Sequence, residues 1–566
     1  MALDLHAAGV RRNPRYSLTP REVTADIVNS KYFTDPLELL GEKSFGSPGD
    51  IPDDEIGTPM QEFYRDKTIF LTGGTGFMGK TVVEKLLRSC PHLKHIYLLV
   101  RPKKGKDIQE RLDAIFEDRL FWRLRAEVPD FRSKVSAVAG DCSLPGLGLS
   151  ETDRATLVKQ VNIVFHGAAT VRFDEHIKMA VKINVCGVQA MLQLAREMKD
   201  LKAFVHVSTA FTHCPRERID EEFYPVPLKY ENLIQLISET GDEELSEMTP
   251  KLLHEWPNTY TFTKALAEDV LCKEGKGLPL AVLRPAVIVS TYREPVRGWI
   301  DNVYGPIGML VGIATGVLHT HLINLNTVTD MVPVDLVVNS MISIAWSIGE
   351  SGKVEKAINK IENNTDPIPI YNFVGSARNP ISWGKLDELA TVCHPIWPTI
   401  RAIWYFSFIP ASNKYTYYIL SFFLHTIPGF ILDSLASLSG RKPMLMAIYK
   451  KIDKASDTLE YFAHRQWVWT DHNVQALFNK LDPEDQELFF FDMGQMKWEY
   501  YAEAMGLGLR VYLVHDDIHT LPAARKKYQR LYIAHCALKI FCGLLLLVFL
   551  LYIVQALFGI QLSTLS

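Results

Sequence analysis

The chain is expected to fold as a doubly wound α/β protein built on a parallel sheet, followed by a helical C-terminal domain and a C-terminal transmembrane helix. Three observations lead there. Short apolar runs alternate with longer helical patterns from Lys67 to about Arg284, a glycine-rich turn follows the first run, and one stretch near the C-terminus is apolar on every face.

In chain order, residues 1–60 form a turn-rich leader. They carry Pro, Asp, Glu, Ser and Gly without sustained periodicity and end in the turn formers Gly46-Ser47-Pro48-Gly49-Asp50 and Pro52-Asp53-Asp54. The leader has neither the apolar core of a signal peptide nor the Arg-rich amphipathic character of a mitochondrial presequence. Residues 61–366 hold the sheet. The runs 68–72, 95–100, 135–139, 161–165, 203–207 and 280–284 are too short for helices and rich in Val, Ile, Leu or Phe, so six parallel strands are expected. After Pro295 the alternation lapses, and Gly298, Gly305, Pro306 and Gly308 break the chain. Residues 292–337 are therefore expected to cover the crevice at the strand C-termini, where ligands bind in such folds. Residues 367–520 carry many aromatics at helical spacing and read as a helical domain; residues 521–566 read as a basic flank and an anchor.

A chain of 566 residues can bury full-sized cores without disulfides. A net charge of −4, with no long basic stripe, excludes nucleic acid as an expected partner. Eight scattered cysteines without C-x-x-C or clustered His/Cys spacing imply no metal site and suit reduced thiols facing the cytosol. Cys90 and Cys214 read as apolar filler rather than nucleophiles.

Thr72-Gly73-Gly74-Thr75-Gly76-Phe77-Met78-Gly79 follows a strand and enters a helix. Glycines leave no Cβ between the backbone and a pyrophosphate, and the helix N-terminus offers free N–H donors with a positive dipole end. The pattern is thus a Rossmann-type dinucleotide site. An acidic residue after the second strand binds a ribose 2′-hydroxyl, whereas a basic one accommodates a 2′-phosphate. Here Arg101 occupies that place, with Lys103 or Lys104 adding charge, which favours NADPH over NADH. Asp141 after the third strand is expected near the adenine amine. Gly167-Ala168-Ala169 after the fourth is small enough for the cofactor to lie against the backbone.

Tyr260 and Lys264 stand four residues apart, on one face of a helix. A phenol with an ordinary pKa of about 10 needs help from a nearby cation to exchange protons near neutrality, and Lys264 is the expected source. Ser208-Thr209 ends the fifth strand, where a hydroxyl can donate to a developing oxyanion. Asn184 and Gly187, on the helix after the fourth strand, are expected to position a water or a backbone carbonyl toward Lys264. His166 reads as a hydrogen-bonded structural histidine. Arg172, Asp174 and Glu175 read as ion pairs without a derived role.

In order, T-G-x-x-G-x-x-G, N-x-x-G, S-T and Y-x-x-x-K resemble the extended short-chain dehydrogenase/reductase pattern. Residues 72–80, the run His166-Gly167-Ala168-Ala169-Thr170-Val171-Arg172-Phe173-Asp174-Glu175, Val205-His206-Val207-Ser208-Thr209-Ala210 and Leu283-Arg284-Pro285 narrow the likeness. They closely resemble fatty acyl-CoA reductases, over about residues 63–517. The resemblance implies reduction of a long-chain fatty acyl-CoA to a primary alcohol, with two NADPH consumed and CoA released, through a hemithioacetal that collapses to aldehyde. It implies Tyr260 as the acid for the alkoxide and Lys264 as the group that lowers the tyrosine pKa and binds the nicotinamide ribose. Either Thr209 or Ser208 then polarises the carbonyl. Two rival readings share some motifs. The C-terminal domain and Arg101 count against a sugar-nucleotide epimerase, and Tyr260, Lys264 and Thr209 count against a non-catalytic NADPH-binding scaffold; a sterol or aldehyde reductase stays open.

Residues 541–560 are wholly apolar, and 20 residues at 1.5 Å each span about 30 Å, the thickness of the hydrocarbon core. Arg525, Lys526, Lys527, Arg530 and Lys539 precede this span, so the catalytic domain is expected in the cytosol with a short tail across an endoplasmic reticulum or peroxisomal bilayer. A second apolar stretch, residues 417–432, is interrupted by His425 and Pro428 and is expected to be a membrane-surface element or a lid over an acyl chain rather than a span. Oligomeric state is left open.

Overall fold

A computed structural model of the chain describes residues 57–102, 105, 107–358 and 367–558. The leader up to residue 56, Lys103, Lys104 and the tail from residue 559 lie outside the described residues.

Seven parallel strands form the central sheet: β1 (Thr68–Thr72), β2 (His95–Val100), β3 (Val135–Ala139), β4 (Ile163–His166), β5 (Ala203–Val207), β6 (Leu280–Pro285) and β7 (Ile370–Phe373). Their spatial order is 3-2-1-4-5-6-7. Every residue of β1, β4, β5, β6 and β7 is buried, as expected of strands covered on both faces by helices. The order reverses between β1 and β4, where Leu71 stands beside Leu98 of β2 on one side and Phe165 of β4 on the other. A crevice therefore opens beyond Thr72 and His166, at the C-terminal ends of those two strands.

The six expected strands are present. The fourth starts at Ile163, two residues later than expected, and runs through His166. The seventh goes beyond the expected six. Ile370 pairs with Val282 and Phe373 with Pro285, so the sheet takes its last strand from the segment expected to be helical. A four-residue run has no period long enough to be recognised, and its partner lies more than 80 residues upstream. Nor is the C-terminal region a separate body. One hydrophobic core runs from Met60 to Leu509, and Val468–Trp469 pairs with Arg218–Ile219. The indoles of Trp467 and Trp469 donate to the carbonyls of Cys214 and Ala210, each at 3.0 Å.

Five helices frame the crevice and carry the two long apolar stretches. α1 (Phe77–Ser89) follows the glycine turn, and α2 (Thr259–Glu274) carries Tyr260 and Lys264. α3 (Lys414–Leu438) contains the second apolar stretch and a π-helical turn at Phe422–Thr426. α4 (Leu445–Ala463) follows it. The C-terminal helix α5 (Leu521–Phe558) is 38 residues, about 57 Å, and its side chains from residue 541 to 551 are exposed. Within residues 292–337, Asp335 gathers the backbone N–H groups of Tyr292, Arg293 and Glu294 at 2.7–3.1 Å. Trp299 stacks on Phe77 at 5.2 Å, which brings this segment down onto the first turn of α1.

Candidate active site and nucleotide crevice

Glycine is required at two points of the turn. Gly73 has φ of +79°, and a Cβ there would stand 2.9 Å from the backbone of Gly167 and Ala168 on the opposite side of the crevice. A Cβ on Gly79 would meet the Gly73 carbonyl oxygen at 2.2 Å, so only glycine lets the start of α1 close against the loop. Gly76 is the N-cap and makes no side-chain cap, which leaves the first N–H groups of α1 without a side-chain acceptor. That combination fits the pyrophosphate of a dinucleotide. Thr72 closes the floor: its hydroxyl meets His166 Nδ1 at 2.7 Å and accepts from the Ala168 backbone N–H at 3.2 Å. Gly74, Thr75, Phe77 and Met78 complete the turn. Burial holds the His166 imidazole down to about 3, hence neutral.

At the far end of the crevice Arg101 and Asp141 come together. The Arg101 side chain is 68% exposed, with Nε 3.8 Å from Asp141 Oδ2, so its guanidinium stays available to a ligand phosphate. Asp141 is held by Ser143, whose N–H and hydroxyl donate at 2.9 and 2.8 Å.

The chemistry gathers where β5 meets α2. Asn258 caps α2, its Oδ1 accepting from the Thr261 N–H at 2.9 Å, and this places Tyr260 in the first turn beneath Phe173, whose ring stacks on it at 5.9 Å. Burial pushes the Tyr260 phenol up to about 12, and the neighbouring Thr209 hydroxyl pulls the other way. The opposing pull is therefore not the one expected from Lys264. The Lys264 ammonium is buried and donates to the Val207 carbonyl at 2.7 Å; burial brings its pKa down to about 8, while the Glu268 carboxylate acts the other way. A phenol at about 12 remains protonated near neutrality and is suited to donate.

The two hydroxyls at the end of β5 part company. Ser208 Oγ donates to Glu268 Oε1 at 2.6 Å, deep in the core, whereas Thr209 Oγ1 lies beside the Tyr260 phenol, accepting from the Phe211 N–H at 3.3 Å and donating to the Pro285 carbonyl at 3.5 Å. Asn184 also differs from expectation. It sits in a π-helical turn, accepts from the Thr170 N–H at 3.0 Å, and donates to the Thr170 carbonyl at 3.2 Å and to Thr263 Oγ1 at 3.0 Å. Its amide thus clamps the strand-end loop to α2, and the carbonyl that Lys264 finds is that of Val207. Gly187 packs on Cys142, where a Cβ would come within 3.0 Å of the carbonyl oxygen.

Sequence reasoning passed over Glu268 and met Arg284 only within the run Leu283-Arg284-Pro285 that carries the family resemblance. They form a buried pair at 2.6 Å, and Arg284 also donates to the carbonyls of Asp220 and Glu222 at 3.0 and 2.8 Å. A signal existed: Glu268 repeats the four-residue spacing of Tyr260 and Lys264 on one helix face. Phe462, which packs on Phe173 at 5.5 Å, carried no such signal. Cys90 and Cys214 are buried, and burial pushes both thiols up to about 12, away from nucleophilic use.

Residues 71–341 match a NAD-binding family model described as male sterility protein, and residues 424–516 match a second model of the same description. The chain is 43% identical over 485 residues to fatty acyl-CoA reductase wat of Drosophila melanogaster, covering 86% of this chain and 91% of that one. It is 39% identical over 472 residues to fatty acyl-CoA reductase 1 of Homo sapiens, covering 83% and 89%. Among solved structures, the reductase domain of a nonribosomal peptide synthetase from Mycobacterium tuberculosis superposes with a TM-score of 0.51 at 18% identity, over 88% of this chain and 99% of that domain. At that identity the likeness shows the fold alone.

Proposed function

The chain belongs to the fatty acyl-CoA reductase family and is an alcohol-forming reductase; on that premise we propose that it reduces a long-chain fatty acyl-CoA to the primary alcohol with NADPH and releases CoA. What supports the site assignment is the placing of the Tyr260 phenol beside the Thr209 hydroxyl and one helical turn from the buried Lys264, at the strand ends that border the glycine turn. NADPH, when bound, would supply hydride, one molecule to the thioester carbonyl and, after the hemithioacetal has expelled CoA as its thiol, a second molecule to the resulting aldehyde. Thr209 donates to the carbonyl oxygen, and Tyr260 gives its proton to the alkoxide as charge develops there. Lys264, fixed by Val207, places a positive charge near the phenol and holds the ribose. Gly73, Gly76 and Gly79 seat the pyrophosphate, with Thr72, Gly74, Thr75, Phe77, Met78 and Ala168 around it, and Arg101 takes the 2′-phosphate. Asp141 faces the adenine, and Asn184 keeps the loop at Thr170 in place. The apolar part of α5 is the single span, with its basic flank and the catalytic domain in the cytosol, at an endoplasmic reticulum or peroxisomal membrane.

Product analysis of purified protein in detergent, over a series of acyl-CoA lengths with NADPH, tests this reading. Fatty alcohol and free CoA are expected; aldehyde as the sole product would refute the second reduction. For the cofactor, Arg101→Ala should raise the KM for NADPH about tenfold or more while leaving that for NADH unchanged, as loss of a charge-assisted contact requires. An equal effect on both would remove Arg101 from the 2′-phosphate.

The pH dependence follows from Lys264. Burial holds its folded pKa below the ordinary 10.5, so the ammonium is present below about 8 and lost as pH rises through it. Turnover should fall on that limb, and a Lys264→Met variant, already slow, should show no such limb. A wild-type profile flat from pH 7 to about 9.5 would contradict the requirement for the ammonium.

A further inference from the structure

Helix α3 has the polarity of a water-facing helix turned inside out. Its inward seam carries the polar groups. Tyr417 donates to Asp453 at 2.7 Å, His425 Nε2 accepts from the His319 backbone N–H at 2.9 Å, and Asp433 accepts from the backbone N–H groups of Met444, Leu445 and Met446 at 2.9–3.0 Å. Its outward face is apolar along the whole length: Tyr418, Phe422, Phe423, Phe430, Ile431 and Leu438 are each more than half exposed. A helix on an aqueous surface shows the opposite arrangement. No Asp, Glu, Lys or Arg lies between Lys414, which pairs with Glu460 at 2.9 Å, and Asp433, while Arg441 and Lys442 follow the helix with exposed positive charge.

The surroundings say what covers this face. The base of α5 rests on the segment that precedes α3: Trp404 Nε1 donates to His535 Nδ1 at 3.2 Å, and the Tyr405 ring lies 5.0–5.3 Å from those of Tyr528, Tyr532 and His535. Three residues after Trp404, the Ser407 carbonyl bonds at 3.0 Å to the ring of His319, the same residue whose backbone holds His425. The middle of α3 and the base of α5 therefore share one platform. His535 precedes Phe541, where the apolar run of α5 begins, by six residues, about 9 Å along the axis. That offset sets α3 at the level of lipid headgroups rather than at the bilayer centre.

From α3 the contacts lead to the active site. Tyr449 of α4 stacks on His425 at 4.7 Å; farther along, Lys454 pairs with Asp174 at 2.9 Å, and Phe462 reaches Phe173, the ring that covers Tyr260. From Tyr449 to Phe462, α4 thus covers about 20 Å between the exposed apolar face and the tyrosine. We propose that α3 lies flat in the boundary between headgroups and acyl chains of an anionic bilayer, as a monotopic contact additional to α5, and that acyl-CoA reaches Tyr260 from this surface along α4. The second clause rests on the fatty acyl-CoA reductase reading; the first does not.

The test uses the full-length protein in vesicles of phosphatidylcholine and phosphatidylserine, with a fluorophore on Phe430→Cys in a background where Cys186, Cys272, Cys536 and Cys542 are replaced by Ser, and a control label on the exposed Glu151→Cys. Lipids carrying a nitroxide at the headgroup end of the acyl chain should quench the 430 label about twofold or more, lipids labelled near the chain methyl should quench it less, and the control should stay bright. Equal brightness of both labels with either lipid overturns the contact; stronger quenching by the deep nitroxide makes α3 a span and overturns it as well. In the same vesicles, Phe423→Glu/Phe430→Glu should raise the KM for a long-chain acyl-CoA about tenfold with kcat unchanged, and should leave the KM for a short-chain, water-soluble acyl-CoA as it was. Equal loss for both substrates overturns delivery from the membrane. Quenching as expected in a protein that reduces no acyl-CoA would instead refute the assigned reaction while sustaining the contact.

Discussion

Tyr260→Phe is expected to lower kcat by about 10²–10⁴, the range for loss of a positioned general acid, without weakening nucleotide binding. The substitution removes one oxygen and leaves the ring, so the stack with Phe173 and the fold of α2 persist. The phenol is held near 12 by burial, so the wild-type donor is fully protonated across the working range and the loss should be the same at pH 6 and pH 7.5. Thr209→Val should act at the same step, whereas Ser208→Ala should not, because the Ser208 hydroxyl is committed to Glu268. Turnover by stopped-flow or product formation, with NADPH affinity measured separately by fluorescence, checks all three. Activity unaltered in Tyr260→Phe would remove the proton-donor role, and a larger loss in Ser208→Ala than in Thr209→Val would reverse the assignment of the carbonyl donor.

Glu268→Ala should carry the largest cost to stability, about 3–5 kcal/mol, as expected when one partner of a buried ion pair is deleted and the other is left charged. Arg284 has no exposed surface, and Glu268 takes two of its N–H groups at 2.9 and 2.6 Å along with the Ser208 hydroxyl. Burial alone would raise the Glu268 carboxyl, but the Arg284 guanidinium reverses that and holds it well below the ordinary 4.5. A carboxyl depressed in the folded state contributes stability that is present above its unfolded pKa and lost as pH falls through the folded one. Wild-type stability should therefore decline on acidification below about pH 4.5, more steeply than that of the variant. Urea midpoints in detergent at pH 7 and at pH 4 measure both effects. A Glu268→Ala midpoint within error of wild type would show the pair to be dispensable. Replacing both partners, as in Glu268→Leu/Arg284→Met, should recover part of the loss, because no unpaired guanidinium then remains buried.

What was legible in the sequence depended on short range. The strand and helix alternation, the glycine turn and the shared helix face of Tyr260 and Lys264 are each set by neighbours within a few residues, through the strand and helix periods and the steric freedom of glycine. Gly73 at positive φ and Gly79 against the Gly73 carbonyl are the conformations such a turn requires. The apolar, uncharged character of residues 541–560 is likewise a local property.

Tertiary structure decided the rest. Ser208 and Thr209 are adjacent in sequence and alike in chemistry, and only the alternation of side-chain direction at the end of β5 separates them, sending one hydroxyl to Glu268 and the other to the backbone of Phe211 and Pro285 beside Tyr260. The seventh strand, the clamp made by Asn184, the Glu268–Arg284 pair and the roof of Phe173 and Phe462 join residues from 14 to nearly 300 positions apart. Such contacts leave no period in the chain, because they arise from how layers of helix and sheet stack. For the same reason the sequence determined that residues 417–432 are apolar, but only packing determined that α3 turns its polar groups inward and its apolar side chains outward.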